Sequence, residues 1–210
     1  MNCPLCLNTN IKHYHHDKWR DYWQCLHCLL VFVQAQDQLN SQDEKSIYDL
    51  HENSADDLGY QKFLNKLLVP LIKKLQVNAT GLDFGSGPGP TISVMMQKQG
   101  FTVNNYDIFY ANKPSVLNQK YDFVTCTEVI EHLYNPNQEI KLLYKILNTH
   151  GLLGIMTKRV LNQEKFKTWH YKNDLTHVCF YSDATFEFIA QNWGFELEII
   201  NSDSVILQKL

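Results

Sequence analysis

The sequence predicts an α/β fold in which helices cover both faces of a mostly parallel β-sheet, with a small cysteine-bearing unit in front of it. Three observations support this prediction. Strand-like and helix-like segments alternate after residue 79, a glycine-rich turn follows the first of these strands, and two Cys-x-x-Cys pairs lie near the start of the chain. Alternation of this kind is typical of a parallel sheet. The 210 residues are enough for one ordinary domain and a small appendage.

The chain divides into three predicted segments. Residues 1–34 contain the paired cysteines and short strand-like stretches, and residues 35–78 are predicted to form a polar linker followed by helix. Apolar residues recur at helical spacing over 47–76, where Pro70 is expected to kink or split the helix. This helix is expected to pack against the sheet. The alternating elements fill 79–210, the predicted main domain.

Apolar runs and end signals predict each element of the main domain. Strands are predicted at 79–84, 101–107, 121–125 and 151–157, and helices at 91–99, 138–147 and 182–194. The last helix is expected to begin after an N-cap at Ser182 and to end near Gly194. Segments 195–201 and 205–209 then form a hairpin that adds one antiparallel strand to the sheet.

Composition and charge narrow the possible function classes. The formal net charge is −3, and no basic run is present. Nucleic-acid binders usually carry a concentrated Lys/Arg patch, because phosphate contacts dominate their affinity. The first residues lack a signal-peptide pattern, and no apolar run approaches the roughly 18 residues that span a bilayer. We therefore expect a cytoplasmic protein without a membrane span; the oligomeric state is not indicated.

The four N-terminal cysteines have the spacing of a zinc site. Cys3 and Cys6 form one Cys-x-x-Cys pair, and Cys25 and Cys28 form a second pair eighteen residues later. Each turn directs two thiolates at one point, and two turns complete a tetrahedron. A unit this small cannot bury enough apolar surface alone, so the metal would supply much of its folding free energy. We predict a structural zinc ribbon; redox-active or disulfide-bonded cysteines are the alternative.

A glycine-rich turn follows the first predicted strand of the main domain. Asp83, Gly85, Gly87 and Gly89 give the pattern D-x-G-x-G-x-G, which differs from the G-x-G-x-x-G of dinucleotide-binding enzymes. Glycines let the backbone turn sharply and approach a ligand closely. The leading carboxylate suits a positively charged or hydroxylated ligand better than a pyrophosphate. Asp107 ends the next predicted strand, where this fold places an acid for ribose hydroxyls.

This pattern resembles the first motif of class I S-adenosylmethionine-dependent methyltransferases. A second segment, 121–133, resembles the D-x-V-x-x-x-E-V-x-E-H stretch of the ubiquinone-biosynthesis O-methyltransferases. The resemblance implies a Rossmann-like α/β domain with S-adenosylmethionine as cofactor. It implies these cofactor-binding residues: Asp83, Gly85, Ser86, Gly87, Gly89, Asp107, Thr127 and Glu128. One departure is that only thirteen residues separate Asp107 from Tyr121, so the usual third strand is expected to be short or missing.

Two clusters of side chains are candidates for the chemistry. If 128–132 starts a helix, Glu128, Glu131 and His132 share one face. A matching trio is linked to a divalent cation in the quinol-methylating relatives; the alternative is a hydrogen-bonded network that orients the loop. In the aromatic-rich segment 169–181, Asp174 and His177 are expected to bind substrate or move a proton, unless His177 only satisfies a backbone carbonyl. His177 or His132 is the expected base.

We expect methyl transfer to a small-molecule acceptor, with oxygen preferred over nitrogen or carbon. Tyr48 and Tyr60 are expected either to form a lid over the cofactor or to pack. The first alternative is a nucleic-acid or protein methyltransferase whose zinc ribbon aids recognition, since a ribbon beside this fold also resembles certain ribosomal-RNA guanine methyltransferases. The low positive charge and the absence of an Asn/Asp-Pro-Pro-Tyr/Phe motif count against it. The second alternative is a non-catalytic cofactor-binding scaffold that docks a partner.

Overall fold

Ten strands form two sheets in residues 1–50 and 54–210, the part of the chain that the computed structural model describes. The strands are β1 (Ile11–His16), β2 (Asp21–Cys25), β3 (Val31–Val33), β4 (Thr80–Phe84), β5 (Thr102–Tyr106), β6 (Tyr121–Thr127), β7 (Leu147–Met156), β8 (Cys179–Phe180), β9 (Phe195–Ile199) and β10 (Ser204–Lys209). The larger sheet has the order β5-β4-β6-β7-β10-β9. Its first four members are parallel, and β10 runs antiparallel to both neighbours. The predicted fold class is confirmed.

Six α-helices accompany the sheets in the described ranges: α1 (Ser41–Tyr48), α2 (Leu58–Ile72), α3 (Thr91–Lys98), α4 (Pro136–Ile146), α5 (Gln163–Lys167) and α6 (Asp183–Trp193). The end signals of α6 are confirmed, because Ser182 caps its first turn and Gly194 takes a left-handed conformation at its end. On α2, Leu64, Leu67 and Leu71 are buried in a core beneath the larger sheet. Within the described residues, no helix combines the length and apolarity needed to cross a membrane.

The prediction of one helix over 47–76, broken at Pro70, is wrong. Helix α1 ends at Tyr48, α2 begins at Leu58, and Pro70 lies inside the last turn of α2 without dividing it. The break falls earlier because Asp57 accepts hydrogen bonds from the backbone of residues 59 and 60, which starts a new helix. The part of this prediction that covers 51–53 lies outside the described residues.

The predicted polar linker also contains structure. Asn40 accepts hydrogen bonds from the backbone N–H groups of Gln42 and Asp43 and caps α1. The prediction for the short connection after β5 is confirmed: between Asp107 and Tyr121 the chain forms only a 3₁₀ helix, Pro114–Asn118, and an isolated bridge. As a result β5 is an edge strand of the larger sheet.

The cysteine-bearing unit shares its sheet with the main domain. Strand β3 pairs with β8, a strand contributed by residues 179–180, in the register Val31 to Phe180. One buried apolar cluster runs from Leu5 and Phe32 through to Phe186. The N-terminal unit is therefore packed against the segment that precedes α6, next to the edge where β6 ends.

Candidate functional site

A cavity of about 730 Å³ lies at the carboxyl ends of β4, β5 and β6. Ligands of open α/β sheets bind at this edge, and the volume is within the usual range for small-molecule sites. All predicted cofactor-binding and catalytic residues line the cavity: Asp83, Gly85, Ser86, Gly87, Gly89, Asp107, Thr127, Glu128, His132, Asp174 and His177. The structure thus brings together residues that are almost one hundred positions apart in sequence.

Two glycines of the loop after β4 are required for different reasons. Both have positive φ, +78° at Gly85 and +63° at Gly87. A Cβ at Gly85 would lie 2.3 Å from a methyl group of Val129, so only glycine permits this close approach. A Cβ at Gly87 would meet no atom within 4 Å. Gly87 therefore leaves space at the cavity wall that a ligand can fill.

The two acidic residues of the glycine-loop region differ in environment. Asp83 is 3% exposed, and Thr125 Oγ1 donates a hydrogen bond to it at 2.8 Å. Burial raises the pKa of Asp83 to about 7. Asp107 instead accepts hydrogen bonds from three backbone N–H groups, of Gly87 (3.0 Å), Phe109 (2.8 Å) and Tyr110 (3.0 Å). A cationic ligand group beside Asp83 would favour its ionised form.

The raised pKa of Asp83 predicts a pH-dependent stability of the ligand-free protein. The ordinary pKa of the Asp83 carboxyl is 3.8, and in the folded protein it is about 7. Between these two pH values the folded state holds the proton of Asp83, whereas the unfolded state has lost it. The free energy of unfolding therefore falls as pH rises through this window, by at most about 1.4 kcal/mol per pH unit. Urea denaturation between pH 5 and 8 should show this fall relative to Asp83→Asn. Parallel pH profiles for the two proteins would contradict the assignment.

The predicted shared helical face of Glu128, Glu131 and His132 is wrong. Glu128 follows β6 and has φ +53°, and of the residues after it only Ile130–His132 form a single 3₁₀ turn. The Tyr171 hydroxyl bonds to Glu131 and lies 3.2 Å from Glu128 Oε2. Burial raises the pKa of Glu128 to about 7 and that of Glu131 to about 8. The trio is thus divided: Glu128 lines the cavity, while Glu131 is fully buried behind it.

His132 meets His177 instead. Their ring centroids are 4.7 Å apart. His177 Nδ1 lies 2.7 Å from the carbonyl oxygen of Tyr171, and His132 Nδ1 lies 3.2 Å from that of Thr176. With the proton on Nδ1, both rings donate to a carbonyl, and Nε2 carries the lone pair. Asp174 Oδ2 lies 3.8 Å from His177 Nε2. The alternative prediction that His177 satisfies a backbone carbonyl is therefore compatible with its place in the cavity wall.

Helix α1 supplies a cavity residue that the sequence analysis missed. Glu44 lines the cavity and accepts a hydrogen bond of 2.8 Å from the Tyr48 hydroxyl. The cavity is also lined by Tyr48 and by Tyr60 of α2, the two residues expected from the sequence to form a lid or to pack. The signal for α1 was present, because Asn40 followed three residues later by an acid is typical of a helix N-terminus. Further aromatic members of the wall are Phe109, Tyr110 and Tyr134.

The four paired cysteines form one cluster, and none of them lines the cavity. Cys3 Sγ lies 3.5 Å from Cys28 Sγ, and Cys6 Sγ lies 3.4 Å from Cys25 Sγ. All four sulfur atoms lie within 4.8 Å of one another, and none forms a disulfide. Thiolates at about 2.3 Å from a tetrahedral zinc are spaced by just under 4 Å. The donor set fits zinc.

Comparison with known proteins places the chain in a family. Residues 57–199, more than half of the chain, match the family described as "Methyltransferase domain". The match begins after the cysteine cluster. The ubiquinone biosynthesis O-methyltransferase of Pseudomonas savastanoi pv. phaseolicola is 28% identical over 78 residues, which cover 37% of this chain and 34% of that protein. The Proteus mirabilis protein of the same name is 26% identical over 103 residues, 49% of this chain and 40% of that one.

Solved structures share the fold. CalO1, a methyltransferase in calicheamicin biosynthesis solved in its SAH-bound form, superposes with a TM-score of 0.54 at 11% identity and covers 81% of this chain and 59% of that chain. Magnesium protoporphyrin IX methyltransferase from Synechocystis PCC 6803, with bound SAH, has a TM-score of 0.53 at 15% identity over 81% of this chain and 95% of that chain. The match over residues 57–199 means that the chain belongs to the methyltransferase domain family, and the prediction of a class I S-adenosylmethionine-dependent methyltransferase is confirmed.

Proposed function

We propose that this protein transfers a methyl group from S-adenosylmethionine to a hydroxyl of a small neutral or cationic acceptor. The observation that carries the proposal is that the glycine loop and the His132–His177 pair line one cavity. The names of the curated relatives, ubiquinone biosynthesis O-methyltransferases, support oxygen as the acceptor atom. The aligned regions span less than half the length of those relatives, so the substrate is argued from the cavity itself.

The glycine-loop end of the cavity fits the cofactor. S-Adenosylmethionine supplies, when bound, a methyl group on a positively charged sulfur and carries an ammonium group and ribose hydroxyls. Asp83, buried in the wall, would ionise beside the cationic amino-acid end, and Asp107 at the end of β5 would accept from the ribose. The space beside Gly87 allows close approach of the ligand to the loop. This end of the cavity is also lined by Ser86, Thr127 and Glu128.

The histidine pair fits the removal of the acceptor proton. The acceptor oxygen would bond to the methyl carbon as the carbon–sulfur bond of S-adenosylmethionine breaks, which leaves S-adenosylhomocysteine, and the hydroxyl proton would pass to an imidazole Nε2. The carbonyls of Tyr171 and Thr176 fix each ring through Nδ1, and Asp174 stabilises the protonated form of His177 from 3.8 Å. Alignment of donor and acceptor in one cavity would supply the rest of the rate enhancement.

The charges of the wall select the acceptor. Six acidic residues line the cavity, and among its described lining residues there is no lysine or arginine. The acids are Glu44, Asp83, Asp107, Glu128, Glu139 and Asp174. A carboxylate or phosphate would enter this field without a partner and at a large desolvation cost. Aromatic side chains of the same wall suit a planar ring. These features also count against nucleic acid as the substrate.

Three catechols of different charge test this proposal. With tritiated S-adenosylmethionine, 4-methylcatechol and dopamine should be methylated, whereas 3,4-dihydroxybenzoate should have a kcat/KM lower by roughly ten- to a hundredfold. Glu44→Gln should reduce that difference, because it removes one wall charge. Equal use of all three, or transfer only to RNA or a protein, would refute the small neutral or cationic acceptor. Cofactor binding without turnover of any acceptor would favour the scaffold alternative.

Glu131, His132 and His177 also fit a divalent cation, the second candidate role for this cluster. Their ligand atoms lie within 4.8 Å of one another, and Glu131 Oε2 is buried without a hydrogen-bond partner among the described residues. The third ligand of this group is His177, whereas the sequence analysis gave Glu128. A cation held there would lower the pKa of a bound acceptor hydroxyl.

At the cluster of Cys3, Cys6, Cys25 and Cys28 we propose structural zinc, because four thiolates leave no open position on a tetrahedral ion.

A further inference from the structure

The turn between β1 and β2 contacts the loop that carries His177. Arg20, in this turn, is 3% exposed, and its guanidinium donates hydrogen bonds to four backbone carbonyls of the loop. The acceptors are the oxygens of Lys172 (3.1 Å), Asp174 (3.1 Å), Leu175 (2.9 Å) and His177 (2.8 Å). Four carbonyls converge on one cation, so the backbone path of 172–177 is matched to the position of Arg20.

The turn in return holds Arg20 in place. Asp17 Oδ1 accepts hydrogen bonds from the backbone N–H groups of Trp19 (2.8 Å) and Arg20 (3.1 Å). The Tyr22 hydroxyl accepts from Arg20 Nε at 3.1 Å and donates to Asp17 Oδ2 at 2.8 Å. Lys172 Nζ lies 3.3 Å from the same carboxylate, which ties the loop to the turn a second time. A buried guanidinium needs such partners, so this arrangement allows few alternatives.

The two sides of the loop have different tasks. Its carbonyls face Arg20, whereas the side chains of Asp174 and His177 line the cavity. Loss of the guanidinium would deprive four carbonyls of a charged donor, and the loop would have to find a new path. Displacement of a catalytic group by about 1 Å can cost a hundredfold in rate.

We propose that Arg20 is a positioning residue for methyl transfer. Through it, the cysteine-bearing unit sets the place of His177 and Asp174 relative to the glycine loop. This inference rests on the proposed role of the histidine pair. It gives the N-terminal unit, which lies outside the matched family region, a task within the active site rather than in substrate recruitment.

The test compares the chain's two arginines in the full-length, zinc-loaded protein. Arg159 is the matched control, because its side chain is 7% exposed and bonds to Asp183 and the Asn201 carbonyl, outside the cavity wall. Arg20→Gln should lower kcat for 4-methylcatechol roughly ten- to a hundredfold without weakening binding of S-adenosylhomocysteine. Arg20→Lys should recover part of kcat. Arg159→Gln should lower the melting temperature and leave kcat unchanged.

Nitrogen-15 NMR of the histidine rings provides a readout that needs no acceptor. Wild-type His177 should show the tautomer protonated at Nδ1, which Arg20→Gln should lose and Arg159→Gln should keep. Should Arg20→Gln not fold, Arg20→Lys is judged by the same two measurements. Wild-type kcat and an unchanged His177 spectrum in the Arg20 variant would overturn the inference. If wild type turns over no acceptor, the proposed function fails, while the spectrum still decides the role of Arg20.

Discussion

Replacing Cys25 and Cys28 together by serine is expected to abolish zinc binding, unfold the cysteine-bearing unit and stop methyl transfer. Structural zinc contributes about 10–16 kcal/mol in zinc-finger peptides, which is comparable to the whole stability of an ordinary domain. The three strands of the unit are short, with six, five and three residues, and its remaining support comes from the pairing with β8 and the apolar cluster shared with the main domain. Because β3 pairs with β8, unfolding of the unit would also release β8, which follows the cavity residue His177 and precedes α6.

Metal analysis, circular dichroism and methyl-transfer assays measure the three effects separately. Cys179→Ser is the matched control, because it makes the same change at a buried cysteine outside the cluster and keeps a hydroxyl donor toward the carbonyl of Leu133. S-Adenosylhomocysteine should still bind the serine double variant, since the glycine loop lies between α3 and β4 of the larger sheet, whereas the cysteine-bearing unit belongs to the smaller sheet. Full activity in a zinc-free double variant would contradict both the metal assignment and the coupling through Arg20.

Local chemistry explains why most of the fold was predictable. The central strands β4, β6 and β7 of the main domain are largely buried and rich in apolar residues, and Ser182 and Gly194 mark the ends of α6 at the sequence level. The glycine loop was equally predictable, because Gly85 and Gly87 both have positive φ, a local backbone requirement that favours glycine. Such features depend on a few neighbouring residues.

The parts that could not be predicted depend on contacts between distant residues. Glu128, Glu131 and His132 have helical spacing, but the left-handed φ of Glu128 ends the strand and divides them. Arg20 donates hydrogen bonds to backbone carbonyls more than 150 positions away. Because every residue has a backbone carbonyl, the sequence does not indicate which residues accept these bonds. Glu44 lines the cavity because α1 packs over it, although the spacing of α1 alone indicates only a short surface helix.

Replacing both His132 and His177 by asparagine is expected to lower kcat about 10²- to 10⁴-fold, the usual range for loss of a general base. Asparagine retains an amide N–H near the place of Nδ1, so donation to the Thr176 and Tyr171 carbonyls can persist while Nε2 is lost. The single variants should each lose nearly as much as the double, because residues that act as one unit are not additive. Initial rates with 4-methylcatechol at saturating S-adenosylmethionine measure the effect.

His150→Asn is the matched control, since His150 is exposed, has φ +62° and lies away from the cavity, and asparagine tolerates that backbone conformation. Calorimetry should give the same affinity for S-adenosylhomocysteine in all variants, because the glycine loop is untouched.

Chelation followed by magnesium addition distinguishes the two proposed roles of His132 and His177, as proton acceptors and as ligands of a cation. A rate that falls and recovers only in proteins with both histidines identifies a cation site at Glu131, His132 and His177, whereas a rate indifferent to magnesium leaves the imidazoles as proton acceptors. A double variant with wild-type kcat excludes both roles, because neither a proton acceptor nor a ligand set would then remain at this wall.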